Sequence, residues 1–296
     1  HLLANGYGDF AGIGIYANPY YARFATSATS SVIGDAMAQQ PTFFTLWIGN
    51  NDILGYAASG GAADSITGVQ TYAFVMNTLL TTLTSGGAKG AIANIPDMLS
   101  APYFSFMSSE VPYNGLVLTS QAQVDALNAA YGALGITFAL GQNPFIVQDA
   151  TSPLPRQMKP TDIFLLTLPT DSLLCYQYGS AIPIPHKYIL DETETAKVND
   201  AIAAYNQVLA DLAGQYNLAF VDAYSVVRDL KDGIVSEGIT LNTDFVTGNA
   251  FSLDGIHLTQ IGNAYIANQF IRSINSKYNS NLPVVSLTNY QSVIIP

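Results

Sequence analysis

PTFFTLWIGNND, residues 41–52, decides the fold. Phe43 to Ile48 is a short apolar run rich in aromatic and β-branched residues. Such a run, bounded by turn formers, reads as a strand buried on both faces. Gly49-Asn50-Asn51-Asp52 then stops it, because Gly, Asn and Asp supply turn chemistry and tolerate unusual backbone angles. In open parallel sheets ligands bind at the carboxyl ends of strands. Asn51 and Asp52 are therefore placed to touch a ligand, although a polar turn capping a strand is the plainer reading of the tetrapeptide alone.

Outward from this stretch, residues 30–39 read as a helix feeding the strand, and residues 6–21 as an irregular segment. Residues 54–63, with Gly55, Gly60 and Gly61, read as a loop near the strand end. Val69, Tyr72, Met76, Leu79, Leu80 and Leu83 trace a helical stripe that Gly86 and Gly87 end. GAIANI, residues 90–95, is a second buried strand. Strand, helix and strand in this order imply a right-handed parallel crossover. DIFLLTL at 162–168 and AFV at 219–221 read as third and fourth strands, with a helix over 191–216 between them. That helix carries Asp191, Glu192 and Glu194 in its first turn, where acids favour the helix dipole. Residues 99–160 depart from the rhythm and read as an insertion. Their aromatics Tyr103, Phe104, Phe106 and Tyr113 either line a pocket or pack the insertion onto the body. The tail, 279–296, includes a strand-like stretch at 284–287. The whole predicts an α/β protein, a three-layer α/β/α sandwich with a mainly parallel sheet, as one domain over 1–296 with an inserted subregion at about 99–160.

A second stretch, FSLDGIHLTQIG at 251–262, lies near the other end. Asp254 and His257 are three apart, and Gly255 between them permits a tight turn. An amphipathic helix follows, with Thr259 as its N-cap. A carboxylate beside an imidazole fixes the tautomer and stabilises the imidazolium during proton transfer. Alone, Asp-x-x-His is more often a surface pair.

Together the two stretches resemble the SGNH/GDSL family of serine hydrolases. Gly49, Asn51 and Asp52 match its Gly-x-Asn-Asp block, and Asp254 and His257 match its C-terminal Asp-x-x-His block, in the family's order. The resemblance implies a flavodoxin-like fold and a serine esterase or lipase acting on a small-molecule, lipid or glycan ester without a cofactor. It implies His257 as general base, Asp254 as its partner, and the Asn51 amide as an oxyanion-hole donor. Gly49 and Asp52 would support the turn, with the Asp52 carboxylate accepting backbone hydrogen bonds.

The chain departs from the family at the nucleophile. The family's serine lies in a Gly-Asp-Ser block ahead of the Asn block, and no Gly-Asp-Ser occurs here. Gly8-Asp9-Phe10 carries an aromatic in the serine's place, and Gly34-Asp35-Ala36 carries an alanine. Gly6, Gly12 and Gly14 are candidates for the family's oxyanion glycine, without supporting context. Ser172 follows a strand-like run but comes after the Asn block, with Thr170 where glycine belongs, and reads as part of a polar turn. The expectation is that the first strand and its serine lie upstream, leaving these residues without a nucleophile and inactive as written.

Composition limits the alternatives. Charged residues are 10% of 296, so the surface relies on Ser, Thr, Asn, Gln and 18 Tyr. Such a surface suits a secreted, periplasmic or surface-attached protein, although no signal segment is recognised. A net charge of −11 with 10 scattered Lys and Arg argues against nucleic acid and anionic membranes as partners. No apolar run reaches the ~18 residues that span a bilayer. Cys175 is the one cysteine, so no intramolecular disulfide forms, and it reads as a small core residue. His1, His186 and His257 form no metal-ligand spacing, so no metal is expected. His186, after Pro185, reads as exposed and without a role, and Asp222 as a strand-end turn acid. Two other readings stand beside the hydrolase. One is a non-catalytic glycan- or lipid-binding domain on a degenerate hydrolase scaffold. The other is a metal-dependent phosphodiesterase, for which ligands are too few.

Overall fold

The computed structural model describes residues 2–4, 7, 18–62, 65–175 and 177–293. His1, Gly6, Gly8-Asp9-Phe10, Gly12 and Gly14 lie outside them. Along the chain, α1 (Pro19–Ala22) and α2 (Val32–Ala38) lead to β1 (Phe43–Leu46). Then come α3 (Asn51–Ala58), α4 (Val69–Thr84), β2 (Lys89–Ala93) and α5 (Pro102–Glu110). Next come β3 (Leu116–Leu118), α6 (Gln121–Tyr131), β4 (Gly141–Asn143), β5 (Ile146–Val147) and β6 (Arg156–Gln157). After β7 (Ile163–Phe164), α7 (Thr170–Cys175) and β8 (Ile189–Leu190) come α8 (Glu192–Gln215) and β9 (Ala219–Val221). The chain closes with α9 (Ala223–Asp232), β10 (Ile234–Ser236), β11 (Ile239–Leu241) and α10 (Gln260–Tyr278).

The protein is mixed α/β, built on a three-stranded parallel sheet in the order β1-β2-β9. Phe44 stands opposite Gly90, and Ile92 opposite Phe220. Neighbouring residues of a strand point to opposite faces, and β2 shows which helices cover which face. Ala91 and Ala93 pack toward Ile274 and Phe270 of α10. Ile92 packs into the main core with Tyr72, Met76, Leu80, Val198, Ile202 and Tyr205 of α4 and α8. Helices therefore cover both faces. The rings of Tyr72 and Tyr205 stack at 3.8 Å and fix the α4–α8 contact. The cap of α8 is reciprocal: Asp191 accepts from the Glu194 amide and Glu194 from the Asp191 amide, each at 2.9 Å.

Several expectations need correction. β1 is shorter than its apolar run and is not buried on both faces; Phe43 is 39% exposed. The reason is position: β1 pairs only with β2 among the described residues, so it is an edge strand. Of residues 54–63, read as a loop, 54–58 are helix and 59–62 keep the turn, with 63 outside the described residues. The α3 helix starts at Asn51, carries Gly55 inside it and ends before Gly60 and Gly61. Of DIFLLTL, only Ile163 and Phe164 form a strand, and they pair antiparallel with β8, outside the parallel sheet. An apolar run shows burial without naming its partner. The aromatics at 103–106 lie on a helix with Pro102 at its first turn, and Tyr103 and Phe104 are buried in the main core. The tail forms no strand at 284–287; Asn268 of α10 clamps Val285 by two hydrogen bonds, to its oxygen at 2.9 Å and from its amide at 2.8 Å. Cys175 is exposed, not a core residue.

Candidate active site

The carboxyl end of β1 runs through Trp47 and Ile48 into Gly49, whose φ is +108°. A Cβ there would stand 2.5 Å from the Tyr72 hydroxyl oxygen and 3.0 Å from Ile95, so the position has room for glycine alone. The Asp52 amide donates to the Gly49 oxygen at 3.1 Å, and the Ile53 amide to the Asn50 oxygen at 3.2 Å, which starts α3. Asp52 braces this turn through its main chain, its oxygen also accepting from Thr67 N at 3.3 Å. No hydrogen bond to its carboxylate occurs among the described residues, contrary to the bracing role expected of it. Asn51, at the first position of α3, is exposed, and its carboxamide is likewise without an intramolecular partner there. The Asn50 side-chain oxygen is buried and has no hydrogen-bond partner among the described residues.

Asp254 and His257 sit on a tight loop ahead of α10. Ser252 N donates to the His257 oxygen at 2.7 Å, and Phe251 and Leu258 form an antiparallel bridge. Gly255, at φ +71°, brings the loop against α5, where Tyr103 N donates to its oxygen at 3.0 Å; a Cβ would lie 2.8 Å from that nitrogen. Thr259 caps α10 by accepting from Gly262 N at 3.0 Å. Asp254 Oδ2 lies 2.6 Å from His257 Nδ1. Its other oxygen accepts from Ser252 Oγ, Ile256 N and His257 N, each at 2.9 Å. Burial opposes ionisation of Asp254. The Ile256 and His257 amides, the His257 ring and the Ser252 hydroxyl together outweigh it and hold the carboxyl at about 2. Asp254 is thus an anion that accepts a hydrogen bond from Nδ1–H of His257, which leaves Nε2 of the largely exposed ring without a hydrogen-bond partner among the described residues.

These two loops meet. Asn51 and His257 line one cleft of about 770 Å³, with Gly49, Asn50 and Asp52 on the same wall. Its apolar lining includes Trp47, Ile48, Met76, Met98, Phe104 and Phe251. Protein-family models, curated proteins and solved structures offer no match to this chain. The site therefore stands on its own geometry. Among the described residues lining the cleft, no serine or cysteine occurs.

The remaining candidates lie elsewhere. Ser172, on α7, does not line the cleft. Asp222 caps α9 by accepting from Ser225 and also accepts from Asn94 Nδ2 at 2.8 Å, so it is a structural acid. His186 is buried, not exposed, with Nε2 2.7 Å from Glu194 Oε1 and Nδ1 3.4 Å from the Gln148 oxygen. The Glu194 hydrogen bond raises its pKa despite burial, which acts the other way. His186, Asp191 and Glu194 bring ligand atoms within 4.8 Å of one another, a grouping that sequence spacing hid. Their polar atoms are engaged by one another and by the α8 cap, so they form a clasp rather than an open metal centre. Sequence reasoning also missed Asp97 in the cleft wall. It follows β2, and the rule that drew attention to Asp52, strand ends facing ligands, was available to find it.

Proposed function

We propose that the chain carries the base, the partner acid and an oxyanion donor of an SGNH-type acyl-ester hydrolase on a flavodoxin-like α/β/α body. The observation that carries this reading is that Asn51 and His257 share one cleft while Asp254 engages His257 Nδ1. In the proposed reaction a serine hydroxyl attacks the ester carbonyl and its proton passes to His257 Nε2. Asp254 stabilises the imidazolium. The Asn51 amide donates to the oxyanion, a contribution of about 3 kcal/mol for one such donor. Collapse expels the alcohol with the proton returned by His257, and water repeats the sequence to release the acid. No Gly-Asp-Ser occurs among the 296 residues. The serine is therefore proposed to come from polypeptide outside them, and a secreted or surface-attached setting belongs to the same reading.

The test uses the natural chain extended upstream. It should hydrolyse short p-nitrophenyl esters and take a fluorophosphonate label on one serine, while the 296 residues alone do neither. His257→Ala in the extended chain should abolish turnover; unchanged turnover removes His257 from the mechanism. A second reading, a binding domain without catalysis, is favoured by the lack of serine or cysteine among the described cleft residues. It predicts ligand binding and no label in either chain.

A further inference from the structure

The cleft has a charge pattern that the chemistry above does not use. Its wall is apolar through Trp47, Met76 and Phe104, and with Asn51 it also carries two carboxylates, Asp52 and Asp97. One Asp97 oxygen accepts from Ser100 Oγ at 2.6 Å, and the Asp52 carboxylate has no partner among the described residues. None of the chain's 10 Lys and Arg lines the cleft, so no lysine or arginine neutralises either carboxylate there. An anionic group entering the cleft loses water and meets like charge where the local dielectric is below that of bulk water. An uncharged, hydroxyl-bearing head meets no like charge and finds donors and acceptors along the lining, the Asn51 amide, Thr71 and the two carboxylates among them.

Resting on the hydrolase reading, we propose that the cleft takes esters of an apolar acyl chain with an uncharged, hydroxyl-bearing alcohol. Asp52 and Asp97 are the specificity-determining residues that turn anionic alcohols away. This excludes esters whose alcohol carries phosphate, sulfate or carboxylate, and it selects polyol or sugar esters.

The test is binding to the 296-residue chain, so it needs no turnover. Trp47 is the sole tryptophan and lines the cleft, so its emission reports occupancy. Decyl glucoside, decyl sulfate and decyltrimethylammonium are titrated below their micelle concentrations. Decyl glucoside should shift the emission and bind at least about tenfold more tightly than decyl sulfate, the size expected of two partly screened like charges. Salt should narrow that ratio in the unmodified chain. The double variant D52N/D97N, checked for an unchanged melting curve, should bring the ratio close to one. Equal binding of glucoside and sulfate, full discrimination in a folded D52N/D97N chain, or a salt-independent ratio overturns the proposal. Decyltrimethylammonium binding tenfold tighter than the glucoside overturns the choice of an uncharged alcohol, and no response to any probe removes the cleft as the ligand site. The two readings fail separately. His257-dependent hydrolysis without this preference discards the specificity alone, and the preference without hydrolysis discards the catalysis alone.

Discussion

At the residue scale the site depends on backbone as much as on side chains. Gly49 occupies a φ of +108° beneath the Tyr72 ring, so Gly49→Ala meets both left-handed strain and a clash. The expected cost is about 2 kcal/mol or more in urea unfolding, with the cleft ligand lost as the β1–α3 turn shifts. A change below about 0.5 kcal/mol would mean the turn relaxes freely. Asp254 and His257 were legible because their spacing and the intervening glycine state the loop geometry. His186 was not: a lone histidine after a proline carries no sign of burial, and its partner Glu194 was read only as a helix-dipole acid. Asp52 was legible as a strand-end residue, but which of its groups holds the turn depended on main-chain contacts that residue identity leaves open.

At the element scale α8 is tied to the loop after α3 by the His186–Glu194 clasp. Glu194 Oε1 packs against Gly61, and the His186 and Ile189 oxygens pack against Gly60. Since α3 begins at Asn51, the clasp helps to hold the helix that carries the Asn51 side chain at the cleft. The His186 pKa is raised in the fold, chiefly by the Glu194 hydrogen bond. The clasp's contribution is therefore complete below the unfolded histidine value of about 6.5 and is lost as pH rises through the raised folded value. The urea midpoint should fall across that window, and His186→Gln should flatten the fall; an equal slope in the variant would assign it to other groups. Elements with a clear period were legible. The stripe of α4 and the acid-capped start of α8 lie where the sequence places them, and β2 and β9 follow their apolar runs. What misled was punctuation and length: Gly55 suggested a loop inside a helix, and DIFLLTL suggested a sheet strand where two residues pair with β8.

At the scale of the whole molecule, the parallel sheet has α4 and α8 on one face and α10 on the other, and both loops of the site reach the cleft beyond its carboxyl ends. No helix among the described residues is long and apolar enough to cross a membrane. Residues 118–146 hold a small core of their own, built on Leu118, Val124, Leu127, Tyr131, Phe138 and Ile146. β1 ends the sheet, and its outward groups have no strand beside them among the described residues. A row of main-chain donors and acceptors flanked by an exposed Phe43 is a template for adhesion between molecules. Concentrated solutions of these 296 residues should therefore cluster on storage, as seen by light scattering. Thr45→Lys, placing a charge on that exposed margin, should keep them dispersed. If scattering grows equally in both, the stickiness lies elsewhere. The same margin that leaves the sheet narrow thus sets how the protein must be handled before any assay of its chemistry.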